Sequence, residues 1–83
     1  MTDTTLIWKA MLLLVPDNHP AVYLYITGHR YSTETAIKRC TDTVEPLFRG
    51  AFDAAKIRKV SREYLKMKGD EYKKGRVKIK PIY

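Results

Sequence analysis

Positively charged side chains collect in the last third of this sequence, and they are the residues with the clearest capacity for chemistry. Residues 56–83 hold eleven lysines and arginines against three acidic residues, a net charge of +8. Residues 1–55 hold five basic and six acidic residues, a net charge of −1, so the last third accounts for the formal charge of +7. Clustered cations bind phosphates and release condensed counterions, and the imbalance therefore predicts a polyanionic partner.

Tyrosines are interleaved with these cations. A cation can hold a phosphate while an aromatic ring stacks on an unpaired base, and stacking contributes about 1–3 kcal/mol per base. The combination favours RNA or single-stranded DNA over a duplex read by a recognition helix. The alternative for each tyrosine is a packing residue in the core or at its rim. The residues predicted to bind nucleic acid are Lys59, Arg62, Lys66, Lys68, Lys73, Lys74, Arg76, Lys78, Tyr64 and Tyr72.

Two other interpretations of the charge stay open. The cations can form a solvated surface that keeps the protein soluble. They can also dock on an acidic protein surface, with charge steering the encounter, as in an interaction or inhibitor module of the kind that phages and plasmids encode. The residues that would extend the basic surface, if the fold brings them to it, are Lys9, Arg30, Lys38 and Arg39.

The histidines and the cysteine offer little to an enzyme. His19 and His29 fall in predicted loops, and acid–base catalysis by His29 beside Tyr31, in the manner of a small ribonuclease, is a less favoured hypothesis. Cys40 lies on an apolar helical stripe, which is typical of a small buried residue. Paired carboxylates, metal-ligand spacing and phosphate-binding glycine loops are missing, so we predict no enzyme activity, no metal and no cofactor.

Size and cysteine content suggest one small domain in the cytoplasm. The chain has 83 residues, and chains divide into separate cores only at greater length. A single cysteine excludes an intramolecular disulfide and argues for a reducing compartment. The N-terminus lacks the basic segment of a signal peptide, and its apolar run at residues 6–15 is shorter than the ~20 residues of a spanning helix.

Two apolar segments near the N-terminus have the composition of β-strands. Residues 4–15 and 21–27 are rich in branched and aromatic side chains, and turn-forming residues at 16–20 separate them. The pattern predicts an antiparallel hairpin with a five-residue loop. Both faces of this predicted sheet are apolar, whereas a sheet with one wet face alternates apolar and polar residues. A second copy of the chain, another protein or the C-terminal segment folded back could cover the second face, so a homodimer through the hairpin sheet is a hypothesis.

Two helices and a short strand are predicted to follow. The first helix begins at Ser32 or Thr33 and should end or kink at Pro46, which also pushes Glu45 out of helical geometry. The second helix runs from Asp53 to about Gly69, with a strand over residues 57–65 as the alternative. Residues 76–80 alternate basic and apolar side chains like an edge strand. The predicted fold is therefore α+β: an N-terminal hairpin packed against two helices, with a basic C-terminal edge strand.

Overall fold

The computed structural model describes residues 2–28 and 32–77, and every regular element in these residues is an α-helix. The predicted α+β fold is therefore wrong, because neither the hairpin nor any other strand is present in the described part of the chain. The helices found there are α1 (Asp3–Leu14), α2 (Pro20–Thr27), α3 (Thr33–Phe48) and α4 (Ala54–Lys73).

Helix α1 occupies the segment predicted as the first strand. Thr2 caps it by accepting a hydrogen bond from the Thr5 N–H at 3.1 Å. Asp3 places a negative charge in the first turn, where the helix dipole favours one. Ile7 and Met11 are one helical turn apart, and both are fully buried. Ala10 is also buried, three residues after Ile7. A period of two would place Ala10 on the face opposite to Ile7 and Met11, so the burial of all three decides for the helix.

Helix α2 replaces the predicted second strand. The His19 ring caps it by accepting a hydrogen bond from the Ala21 N–H at 3.1 Å. Pro20 occupies the first helical position. A backbone N–H there has no partner within the helix, so the proline removes no helical hydrogen bond. Gly28 adopts the left-handed conformation with φ of 66° and donates its N–H to the Leu24 carbonyl at 3.0 Å. Proline at the start and glycine just past the end are signals of a helix as much as of a strand between turns.

Helix α3 begins as predicted, with Ser32 as its N-cap, but it does not end at Pro46. The helix continues through Glu45 and Pro46 and ends at Phe48, so the predicted loss of helical geometry at Glu45 is wrong. Arg49, in the left-handed region with φ of 47°, closes the helix. Because the proline lies in the last turn, its missing N–H removes a single bond, and the rest of the helix is unaffected.

Helix α4 confirms the helix predicted after Asp53 and excludes the strand alternative for residues 57–65. The Asp53 carboxylate caps it by accepting a hydrogen bond from the Ala55 N–H at 3.0 Å. The predicted end near Gly69 is wrong, because the helix continues to Lys73.

The predicted edge strand over residues 76–80 is not formed where the structure describes it. Arg76 and Val77 follow α4 without strand geometry, and the Arg76 N–H donates to the Glu71 carbonyl at 2.9 Å. Val77 is buried. Residues 78–80 lie outside the described residues.

Helix α4 is the element around which the others assemble. It packs against α1, α2 and α3, and α3 also packs against α1 and α2. Neighbouring helices joined by a short loop run in opposite directions, and α3 and α4 are joined by residues 49–53. The core is made of Ile7, Ala10, Met11, Val15, Ala21, Val22, Ala36, Ile37, Cys40, Val44, Ile57, Val60, Tyr64 and Leu65.

One buried polar contact joins α3 to α4. The hydroxyl oxygens of Thr41 and Ser61 lie 3.0 Å apart in the core. Each hydroxyl also reaches the carbonyl four residues earlier, that of Ile37 at 2.8 Å and that of Ile57 at 3.0 Å. Both polar groups are therefore satisfied without water, which is the condition for placing them in a core.

The predicted homodimer through a hairpin sheet loses its structural basis. Residues 2–28 form helices, so they offer no sheet face that a second copy could cover. Several leucines remain exposed on the outer side of α1, and they come from both faces of the predicted strand.

Candidate nucleic-acid interface

The outer face of α4 carries a row of exposed cations. Lys59, Arg62, Lys66 and Lys73, hereafter the basic row, recur at spacings of three, four and seven residues. This spacing puts them on one side of the helix, opposite the side that is buried. Along the helix axis the row extends for about 21 Å, at ~1.5 Å per residue. The structure thus brings four of the predicted site residues together. The buried residues of α4 are Ile57, Val60, Ser61, Tyr64 and Leu65.

Ion pairs leave most of the basic row uncompensated. Arg62 Nη2 lies 3.6 Å from Glu34 Oε1, and both side chains are more than half exposed, so water screens this attraction. Lys56 pairs with Asp3 at 3.0 Å, away from the row. Within residues 2–28 and 32–77 no carboxylate lies within ion-pair distance of the row's three lysines. These lysines are free to meet an external anion.

Lys68 and Tyr64, both predicted to bind nucleic acid, lie on the inner side of α4. The Lys68 side chain is 12% exposed, and its ammonium lies 2.8 Å from Asp17 Oδ1. Asp17 Oδ1 is buried and accepts no hydrogen bond of good geometry from the described residues. The attraction between the two groups is therefore mainly that of opposite charges. Tyr64 is fully buried and meets Trp8 edge to face, with 5.4 Å between ring centroids. The Tyr64 ring is therefore closed to a base, and the Lys68 charge is already compensated.

Burial also changes the ionisation of Tyr64. It raises the pKa of the phenol above its ordinary value, and the Asp17 carboxylate raises it further. The Lys68 ammonium lies 5.5 Å from the ring centre, in cation–π range. Tyr64 is thus a neutral hydrogen-bond donor in the core.

The C-terminal end of α4 adds further predicted residues to the basic surface. Tyr72 is 39% exposed, so part of its ring is open to solvent. Lys74 and Arg76 line a shallow groove of about 330 Å³, whose carboxylates include Glu63 and Asp70. Lys66 of the basic row lines the same groove, so these carboxylates partly offset the positive charge at this part of the row.

Two of the cations predicted to extend the basic surface lie on α3. Lys38 and Arg39 line a groove of about 560 Å³ beside His19. Lys38 also lines a groove of about 320 Å³ between α3 and α4, together with Arg58. Asp42 contributes a carboxylate to both grooves, so the surface between the helices is of mixed charge.

Four residues that sequence analysis singled out lie outside the described residues. They are His29, Arg30, Tyr31 and Lys78. The ribonuclease-like role of His29 and Tyr31 therefore stays a hypothesis, as does the contact of Lys78 with nucleic acid.

His19 serves the fold as a helix cap. Its Nδ1 accepts the Ala21 N–H, which places the proton of the neutral ring on Nε2, 3.4 Å from Thr43 Oγ1. The Thr43 hydroxyl in turn donates to the Arg39 carbonyl at 2.7 Å. Burial lowers the pKa of His19, and the nearby Arg39 guanidinium lowers it further. The lowered pKa favours the neutral ring over the protonated one, and the neutral ring is the form that caps α2.

Cys40 is a packing residue. It is fully buried on α3, and burial raises the pKa of its thiol to about 12, so the thiol stays protonated at neutral pH. No group of three or more histidine, cysteine, aspartate or glutamate side chains in the described ranges could hold a metal ion. Among the described helices, none combines the length and the apolar character needed to span a membrane.

One surface that the sequence did not predict lies on the outer side of α1. Leu6, Leu12 and Leu13 are 39%, 50% and 78% exposed. A strand interpretation spread these leucines over two sheet faces. The spacing of three between Ile7 and Ala10, both buried, fits a helix and not a strand, and it is the signal that would have separated the buried side from the exposed one.

Comparison with known proteins gives no assignment: no protein-family model, no curated protein and no solved structure matches this chain.

Proposed function

We propose that the protein binds nucleic acid through the outer face of α4, with RNA or single-stranded DNA as the preferred form. The basic row contacts the phosphates. Tyr72, at the C-terminal end of the helix, offers an exposed ring to an unpaired base.

The observation that carries this proposal is the basic row itself. Four exposed cations share one face of a helix over about 21 Å, so they can contact several successive phosphates of one strand. Arg62 alone among them has a carboxylate partner in the described chain, and that pair is exposed. Phosphate contacts of the row's three lysines then release counterions that no internal ion pair has already displaced.

The test is the salt dependence of oligonucleotide binding, measured by fluorescence anisotropy with single-stranded RNA, single-stranded DNA and duplex DNA. Wild-type affinity should fall steeply with salt. Lys59→Gln combined with Lys66→Gln should weaken binding and lower the slope of log affinity against log salt by about 1.4, at ~0.7 per contact with a single strand. Both lysines are exposed, so the variant should fold normally.

A matched control removes the same charge elsewhere. Lys9→Gln combined with Arg49→Gln alters exposed residues on α1 and at the end of α3, away from the basic row. Its salt slope should equal that of the wild type. An equal loss in both variants would show that net charge alone is responsible, and binding that is absent or independent of salt would overturn the proposal.

A further inference from the structure

Two carboxylates of α4 follow one side of the basic row. Glu63 lies four residues after Lys59 and three before Lys66, so it is a helical neighbour of both. Asp70 has the same relation to Lys66 and Lys73. A step of four residues turns the helix by about 40° beyond one full turn, so both carboxylates are displaced from the row in the same direction. We call Glu63 and Asp70 the acidic border.

A third carboxylate lies on the opposite side of the row. Glu34, in the first turn of α3, has its Oε1 3.6 Å from Arg62 Nη2. A step of three residues, as from Lys59 to Arg62, stops about 60° short of a full turn, so Arg62 is displaced away from the acidic border. Arg58 lies further round in that direction and lines the groove between α3 and α4. The basic row is thus a narrow positive stripe with negative charge on both sides.

The acidic border keeps its charge within the described part of the chain. Glu63 and Asp70 are exposed, and no cation of residues 2–28 and 32–77 lies within ion-pair distance of either. An approaching polyanion therefore meets attraction at the row and repulsion at the border beside it.

A duplex would bring phosphates against both sides of α4. The major groove is about 12 Å wide, and a helix with its side chains is about 10–12 Å across. A helix in that groove directs its outer face at the base edges and its two sides at the phosphates of the two strands. Glu63 and Asp70 would then face one line of phosphates. A shift of the helix away from them would bring Glu34 toward the other line.

A single strand meets no such conflict. It has one line of phosphates, with a charge every ~3.4 Å where a duplex has one every ~1.7 Å. When it lies along the basic row, its phosphates contact the cations and no second strand reaches the acidic border.

We propose that Glu63 and Asp70 are specificity-determining residues, which repel a duplex from the basic row and thereby select a single strand. This inference rests on the proposed function and adds to it a repulsive element, the usual means of rejecting a wrong partner. The acidic border acts on the duplex, whereas Tyr72 acts on the unpaired base, so the two contributions can be measured separately.

The experiment compares the affinities of the whole protein for single-stranded DNA and for duplex DNA of the same sequence. Anisotropy is measured at about 50 mM salt, where charge repulsion is weakly screened. Glu63→Gln combined with Asp70→Asn removes both charges and keeps the side-chain shapes. Duplex affinity should rise about tenfold and single-strand affinity less than about threefold, so the ratio of single-strand to duplex affinity should fall.

The matched control is Asp3→Asn combined with Glu45→Gln, which removes the same charge from exposed side chains elsewhere. Asp3 lies on α1, and Glu45 lies on α3, eleven residues beyond Glu34. Because this change alters only the net charge, both DNA forms should gain affinity by the same small factor. The ratio of the two affinities should stay that of the wild type.

The outcomes separate this inference from the proposed function. A wild-type protein that binds neither DNA form nor RNA would overturn the proposed function and this inference with it. If the protein binds DNA but the ratio is unchanged by Glu63→Gln with Asp70→Asn, the acidic border does not select the strand form. An equal fall of the ratio in the control variant would also overturn the inference. Both of these results would leave nucleic-acid binding by the basic row intact.

Discussion

The hydroxyl of Tyr64 donates a hydrogen bond to the backbone carbonyl of Val15, 2.5 Å away and buried in the core. This contact ties the middle of α4 to the end of α1. It also explains why a tyrosine set among lysines in the sequence does not face solvent: its ring fills the core and its polar atom has an internal partner.

Removing this hydroxyl should destabilise the protein. Tyr64→Phe keeps the ring but leaves the Val15 carbonyl without its donor, and an unsatisfied buried group costs about 1–3 kcal/mol. Urea unfolding measures the loss. Tyr72→Phe is the control, because Tyr72 is 39% exposed and its free energy of unfolding should change by less than about 0.5 kcal/mol. Equal effects of the two substitutions would contradict a structural role for the Tyr64 hydrogen bond.

Acid should weaken the fold through His19. The pKa of His19 is lowered in the folded protein, so below the ordinary value of 6.5 the unfolded chain binds a proton that the folded chain excludes. This part of the stability is present above pH 6.5 and declines as the pH falls below it. His19→Asn keeps a capping side chain that does not titrate. Urea unfolding across this range should show a smaller pH dependence for the variant, and an unchanged dependence would contradict the assignment.

Gly69 should be replaceable with a gain in stability. It lies inside α4, and a Cβ added there would be 3.6 Å from Tyr25 Cε1, an ordinary contact distance. Gly69→Ala should therefore stabilise the protein by about 1 kcal/mol, the difference in helix propensity. Gly75→Ala gives the contrast, because Gly75 has φ of 75° and an alanine would be strained there. Thermal unfolding that ranks the two variants the other way would show that α2 and α4 cannot accept the added methyl group.

Tyr72 should carry the preference for unpaired bases. Tyr72→Ala should lower affinity for single-stranded RNA about tenfold, since base stacking on an aromatic ring contributes about 1–3 kcal/mol. Tyr72→Phe should retain the affinity, and neither change should affect duplex binding. If both substitutions weaken single-stranded and duplex binding alike, the phenol is supporting the end of α4 and is not a stacking surface.

The C-terminal half of the fold could be predicted because its signals agree with one another. Ser32 and Asp53 are capping residues placed just before apolar stripes of helical spacing, and both helices begin after them. The helical spacing of Lys59, Arg62 and Lys66 also indicates a shared face. Capping, periodicity and charge there all favour a helix.

The N-terminal half could not be predicted because its apolar residues are too many for one period to stand out. The segment that forms α1 contains leucines at positions 6, 12, 13 and 14 in addition to its buried stripe, and this excess imitates a strand with two apolar faces. Tertiary packing on α3 and α4 then decides for the helix.

Which of the predicted site residues are exposed, and which are buried or paired, also depends on residues that are distant in sequence. Nothing in the sequence near Lys68 shows that Asp17, from the connection between α1 and α2, will pair with it. Tyr64 likewise finds its partner at Val15, 49 residues away. Lysines on the two sides of α4 look alike in sequence. Only the packing of the other helices decides which lysines are exposed and which are paired with a carboxylate.

The position of α4 at the centre of the bundle has a consequence for biosynthesis. Since α1, α2 and α3 all pack on α4, and the ribosome makes it after them, the nascent chain must wait for that last described helix before its core can close. Until then α1 leaves the exit tunnel with its core residues as well as its leucines uncovered, so the growing polypeptide is most open to chaperones, proteases and self-association. The emergence of α4 from the exit tunnel is the event that ends this exposure.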